Sequence, residues 1–239
     1  MNKLVIVLGA MMLLAFGSCA TATKILKDVE NSMNNKPVTE SEIIQGLKQA
    51  LEIGIGNGSD VVSKLDGYFK NPKIKLPFPP EAQKVEKTLR EIGLGSEVDK
   101  VVLSLNRAAE DAAKGAKPIF VSAIKQMTIK DAMNILKGTD NAATEYLRKT
   151  TSNDLRTAFK PVIDKSLNKV AATKYWDDVI KRYNQIPLVQ KVNPDLNAFV
   201  TEKALDGLFY MVAQEEAKIR KDPLARITDL LKRVFKLQD

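Results

Sequence analysis

From residue 39 to residue 236 the apolar residues recur three and four apart, in runs opened by capping signals and closed by glycine or proline. No convincing run alternates apolar with polar side chains, so the chain offers helix faces and no sheet face to bury. The pattern predicts an all-α fold: a bundle of short helices, one long helix in the C-terminal half and a terminal amphipathic helix. Aromatic residues make up only 6% of the chain, while Ala, Leu, Lys and Glu are plentiful, which also favours helices over sheets.

Thr39-Glu40-Ser41-Glu42 has the form of a capping box, and Ile43, Ile44, Leu47, Ala50 and Leu51 follow at helical spacing. The cluster Gly54, Gly56, Asn57 and Gly58 is expected to end that helix, with Ser59 capping a short one that carries Val61, Val62, Leu65 and Phe69. Four prolines between residues 71 and 80 predict an extended connector. The organisation expected is a leader over 1–18, a tether over 19–38, a small helical part over 39–70, the Pro-rich connector over 71–80 and a main helical domain over 81–239. Within the last, Ser96 is expected to cap a helix with alanines along one side, and Thr128-Ile129-Lys130-Asp131 reads as a capping motif with Gly138 as the stop. Asp140 and Ser152 are candidate N-caps of two further helices, with Pro161 kinking the second or starting another. A helix over 174–186 stops at Pro187. Asn193-Pro194-Asp195 launches the longest helix, about residues 196–220. Asp222-Pro223 separates it from a last helix whose polar side carries Arg226, Lys232, Arg233 and Lys236.

Composition removes whole classes of chemistry. The chain has no histidine and one cysteine. A Ser-His-Asp triad, a His-ligated zinc, an internal disulfide and a multi-Cys metal site are therefore excluded, and no cofactor is implied. The one thiol, Cys19, is informative through its position. A short basic start, Met1-Asn2-Lys3, precedes a charge-free apolar run from Leu4 to Phe16, too short to span a bilayer and of signal-peptide length. Gly17-Ser18-Cys19 then matches a bacterial lipoprotein signal, in which the cysteine is lipidated and becomes the first mature residue. Phe16 stands where leucine is usual, and cleavage after Ala20 or Ala22 is the rival reading. Ala20, in place of an Asp retention signal, points to the outer membrane, with the mature chain facing the periplasm of a Gram-negative cell.

The formal charge of +8 falls to +7 from Cys19 onward and lies mainly in the C-terminal half. Residues 148–191 carry ten basic and four acidic side chains, and residues 218–239 carry seven and three. Between them, residues 192–217 carry one and five, which makes patches rather than a uniform polycation.

Three sets of residues are candidates for ligand or partner contact. Glu202, Asp206 and Tyr210 share a helix face, where two carboxylates can share a proton or hold a cation; a solvated helix face is the simpler account. Arg107 and Glu110, with Asp111 and Lys114, are spaced for i,i+3 and i,i+4 pairs, which are most often structural. Trp176, with Tyr175 and Tyr183, lies among Lys169, Lys174, Lys181 and Arg182. For an exported protein that mixture suits anionic lipid headgroups better than single-stranded nucleic acid, although a helix that buries Trp176 with its charges in water is the simpler account. The last helix offers the same choice between a membrane surface and a core-facing stripe. Gly54-Ile55-Gly56-Asn57-Gly58 is not a phosphate loop, because it lacks the Lys-Ser/Thr ending and follows a helix.

Several separated motifs together resemble a known family: Asn106-Arg107-Ala108-Ala109-Glu110; Lys117-Pro118-Ile119-Phe120 running into Met127-Thr128-Ile129-Lys130-Asp131-Ala132; Lys203-Ala204-Leu205-Asp206-Gly207-Leu208-Phe209; and Asp222-Pro223-Leu224-Ala225-Arg226 with Asp229-Leu230-Leu231-Lys232. They are similar to the bacterial exported-protein family catalogued as domain of unknown function 4197. The resemblance implies an exported, mostly helical bacterial protein, often with a signal or lipoprotein leader, and supplies no activity and no catalytic residues. The leading expectation is a non-enzymatic lipoprotein, tethered to the membrane through its lipid anchor, that binds an envelope protein or an anionic lipid. A helical carrier of an apolar ligand is the alternative, and a carboxylate-based enzyme the third reading. A sizeable dry cavity favours the carrier, and a cleft gathering Glu110 or Asp206 favours the enzyme.

Overall fold

The computed structural model describes residues 37–91, 93–169, 176, 181, 184, 185, 191 and 195–236. The chain divides into two compact units, Met1–Thr39 and Glu40–Asp239. Cys19 and nearly all of the first unit lie outside the described residues, so the architecture below is that of the second. The protein is all-α: among the described residues there are eight α-helices and no strand. They are α1 (Glu40–Val62), α2 (Gln83–Glu91), α3 (Gly95–Ala113), α4 (Ala116–Gln126), α5 (Ile129–Leu136), α6 (Ala142–Lys169), α7 (Leu196–Lys221) and α8 (Asp229–Phe235), with single 3₁₀ turns at Pro80–Ala82 and Pro223–Ala225. None of these helices is long and apolar enough to cross a membrane.

Helix α7 runs through the middle, packed by α1, α3 and α6, and is buried at Ala204, Leu205, Gly207, Leu208 and Phe209. Asp195 launches it as expected, its carboxylate accepting from the Ala198 amide at 2.8 Å. Helix α6 packs against both α3 and α7, while α4 and α5 lie against α1 and α6. Helix α8 lies on α1, where Leu231, Val234 and Phe235 are buried.

Helix α1 does not stop at its glycines but continues through them to Val62. Gly58 lies against the α7 backbone, where a Cβ would stand 3.4 Å from the Val212 nitrogen, and Gly46 lies under Val234, where a Cβ would stand 2.7 Å from a methyl group. Each glycine costs the helix roughly 1 kcal/mol of propensity. Close packing that buries Leu47, Leu51, Ile55 and Val62, at roughly 1.5–3 kcal/mol each, outweighs that cost. Ser59 is consequently a buried residue inside α1 and not an N-cap.

The two helices expected around Ser152 are one helix of 28 residues. The Ser152 hydroxyl donates to the Arg148 carbonyl inside it, at 2.6 Å. Leu147, Thr151, Leu155, Phe159, Ile163 and Leu167 form a buried stripe at every fourth residue, and Pro161 sits on the solvent side, where it interrupts the ladder without disturbing that stripe. The N-terminus of α6 is capped from another helix. Glu216 of α7 accepts from the Ala143 amide (3.0 Å), the Thr144 amide (2.8 Å) and the Thr144 hydroxyl (2.7 Å), and Arg220 balances its charge at 2.8 Å. The capping box at Thr128 and Asp131 is formed as the sequence predicts.

The expected last helix is also rearranged. Residues 223–225 form a 3₁₀ turn and the α-helix starts only at Asp229. Arg226, expected on the polar side, is buried at 3% exposure, and the apolar Leu224 is 89% exposed. Arg226 turns back and donates to the Ile219 and Arg220 carbonyls at 3.1 and 2.8 Å, which are orphaned at the C-terminal end of α7.

Candidate functional site

The Pro-rich stretch 71–80 lies inside the unit Glu40–Asp239 and buries Ile74, Leu76 and Phe78. With residues 63–70 it forms a long connection between α1 and α2, the best-held irregular segment among the described residues. Its path begins with a reversal at Asp66-Gly67. Asp66 has a positive φ of 70°, which aspartate tolerates better than most residues, and Gly67 folds so close to α1 that a Cβ would stand 2.3 Å from the Val61 carbonyl oxygen.

Helix α3 holds this connection through residues one turn apart. Asn106 and Glu110 are i,i+4 neighbours and both point into it. The Asn106 side chain pairs with the Leu76 backbone at two points: its oxygen accepts the Leu76 amide at 2.9 Å, and its nitrogen donates to the Leu76 carbonyl at 2.9 Å. Glu110 is 3% exposed, and its Oε1 accepts the amides of Tyr68 and Phe69 at 3.1 and 3.2 Å. Its Oε2 accepts from Arg107 at 2.6 Å, and Arg107 also reaches Asp66 at 2.6 Å. Lys70, 2.8 Å from Asp66, extends the chain of charges. The hydrogen bond from Lys70, then that from Arg107, holds the Asp66 carboxyl below the usual aspartate value.

Helix α7 supplies the remaining contact. Tyr68 is fully buried and donates to the Ala204 carbonyl at 2.6 Å, while its ring fills the space over Gly207, where a Cβ would stand 2.5 Å from the ring. Burial first, then the charges of Glu110 and Asp206, push the phenol far up, so it stays a donor. The family motifs around Asn106 and around Gly207 therefore meet on the same connection. The Lys117-Pro118-Ile119-Phe120 motif joins them through Phe120, whose ring meets Phe209 edge-on at 5.6 Å.

The outer side of this connection is basic. Residues 63–78 contain four lysines, Lys64, Lys70, Lys73 and Lys75, against one carboxylate, Asp66. All four lysines are exposed, Lys75 lies 4.4 Å above the Phe69 ring, and Leu65 is 75% exposed at the reversal. Charge counting over whole halves of the chain hides this patch, because acidic residues elsewhere in the N-terminal half offset it. A window of sixteen residues reveals it.

The other candidates separate. Glu202 is exposed and paired to Arg156 of α6 at 2.5 Å, which holds its carboxyl below the usual glutamate value. Asp206 is exposed between Arg148 (3.5 Å) and Lys203 (3.6 Å), and Tyr210 is half-buried. Each carboxylate thus faces its own cation and not its neighbour, an arrangement opposed to proton sharing. Trp176 is 5% exposed and meets Phe78 edge-on at 5.3 Å, which is core packing and not headgroup contact. Tyr175 and Tyr183 lie outside the described residues. Sequence reasoning missed Glu216, Arg220 and Arg226, all buried and structural; the favourable Glu-to-Arg order of 216 and 220 at i,i+4 was the available signal. A partly open cavity lined by Leu47, Leu51, Ile55, Val212 and Phe235 has a volume of about 20 Å³, room for one water. A cleft of about 460 Å³ lies between α4 and α6, lined by Pro118, Ile119, Tyr146 and Thr150.

Fold and site together define an all-α protein whose polar network on α3 holds the connection between α1 and α2. The chain belongs to the family described as protein of unknown function (DUF4197), whose model matches residues 37–236. Neither the curated proteins nor the solved structures contain a match to it.

Proposed function

We propose that this chain is an exported lipoprotein, anchored through Cys19 at the periplasmic face of the outer membrane, whose helical unit is a non-catalytic binding module. One observation carries the binding reading. Arg107 and Glu110, a candidate pair in the sequence, and their neighbour Asn106 direct hydrogen bonds to residues 66–76, and what they hold is an exposed basic loop with an apolar tip. A rigid scaffold that positions a surface loop is the usual architecture of a recognition site. The leader supports the anchoring, since Leu4 to Phe16 and Gly17-Ser18-Cys19 have lipoprotein order.

Intact mass of the protein from its own membrane fraction tests the anchor. The expected species starts at Cys19 and carries acyl chains; an unmodified chain starting after Ala20 or Ala22 ends the lipoprotein reading. Native mass spectrometry of the same preparation tests the binding role by showing which lipid or protein leaves with it.

A further inference from the structure

We infer that the loop formed by residues 63–78 is a second membrane contact, which lays its lysines on an anionic phospholipid surface and inserts Leu65. The inference rests on the reading of the helical unit as a binding module, and it is independent of whether Cys19 is lipidated.

Three observations point to a bilayer. The first is charge. Of the five charged side chains in the loop, the four lysines are exposed, while the single carboxylate, Asp66, is held between Arg107 and Lys70. Asp60, exposed on the last turn of α1, offsets only part of that excess. Lysines near a surface are drawn to anionic headgroups. The second is shape. The chain reverses at Asp66-Gly67, so Leu65 stands exposed at a turn, while Val61 is exposed on the last turn of α1. Two exposed apolar side chains fall far short of the roughly 800 Å² per partner that a stable protein interface buries, yet they suffice to enter a fluid interface. Phe69, half-buried beneath Lys75, adds an aromatic ring behind them.

The third is preorganisation. Glu110, Asn106, Arg107 and Tyr68 fix the loop from two helices, so little conformational freedom remains to be lost when it docks.

The test uses the absence of other cysteines. The full chain carrying Cys19→Ser and Leu65→Cys takes a polarity-sensitive fluorophore at position 65 only; a second chain with Cys19→Ser and Thr157→Cys takes it on the exposed side of α6. The leader is common to both and cancels. Each is mixed with phosphatidylcholine vesicles, with and without about one-third phosphatidylglycerol.

The expected result is a blue-shifted, roughly twofold or larger emission gain at position 65 with anionic vesicles alone, reversed by salt and absent at position 157. Lys64→Gln and Lys73→Gln should each weaken vesicle binding about fivefold, with unchanged circular dichroism. No gain at position 65, or an equal gain at 157, overturns the inference. Crosslinking of position 65 to one envelope protein without any vesicle response overturns it in favour of a protein partner. Loss of the lipoprotein reading appears elsewhere, in the intact mass, and leaves the vesicle result standing.

Discussion

Two irregular segments of this protein look alike in sequence and work in opposite directions. Residues 63–78 and residues 222–228 both contain proline and basic residues, and both expose a leucine, Leu65 or Leu224. In the first, helix α3 sends Asn106 and Glu110 outward to hold the loop backbone and Arg107 to hold the Asp66 carboxylate. In the second, the turn sends Arg226 inward to hold the carbonyls at the end of α7. The direction of the hydrogen bonds separates presentation from closure. A helix that satisfies a loop fixes the loop for use, whereas a turn that satisfies a helix completes the helix.

The comparison breaks most easily at Glu110. Glu110→Ala leaves two loop amides without their acceptor and Arg107 with Asp66 alone, and we expect a loss of about 3–5 kcal/mol by denaturant unfolding. Hydrogen exchange should rise at Tyr68 and Phe69. Arg226→Ala should cost less, about 2–3 kcal/mol, because two carbonyls lose a charged donor. Its exchange should rise at the end of α7 and stay unchanged at Tyr68. If both variants loosen the same amides, the two segments are one cooperative unit and the contrast fails.

Gly207→Ala sharpens the α7 side of the loop. A methyl group 2.5 Å from the Tyr68 ring must displace it, at about 2 kcal/mol, and Tyr68→Phe in the same background should add little if the Ala204 bond is already lost. Smaller still are Leu65→Ser and Leu224→Ser, each expected within about 0.5 kcal/mol of the parent because both leucines face water. A larger loss for either means that its side chain is covered in solution.

The Asp66 carboxyl gives the pH arm. Its folded pKa is lowered, chiefly by Lys70 and then by Arg107, below the ordinary 3.8. The folded state therefore holds this proton less tightly than the unfolded chain. Its contribution is present above the ordinary value and lost as the pH falls through the lower one. Carboxyl titration by NMR should show Asp66 titrating below that value, and Lys70→Ala should move it upward.

Much of the helical content was legible because it depends on local signals. The box at Thr128 and Asp131 and the N-cap at Asp195 are satisfied by side chains within four residues, so their spacing is visible in the chain. Helix ends governed by other helices were not legible. α1 runs through its glycine cluster because α7 lies against Gly54 and Gly58, and α6 runs through Ser152 because its continuous stripe packs on α3 and α7. Within the candidate site, the Arg107–Glu110 pair was readable from i,i+3 spacing, but its target was not. The bonds from Glu110 to Tyr68 and from Asn106 to Leu76 join residues 42 and 30 positions apart, and nothing in the spacing of either segment encodes them.

The sequence by itself determined an all-α chain, several of its helix starts and the exclusion of histidine chemistry. These are properties of composition and of neighbours within a turn, where propensity and capping act without help from distant residues. Only the tertiary structure decided that Arg226 is buried while Leu224 is not, that the glycines of α1 are contact points and not stops, and that a polar motif on α3 serves a loop on the far side of α2 in the chain. A buried polar group must find a partner wherever the packing places one, and packing brings together residues that no local pattern connects.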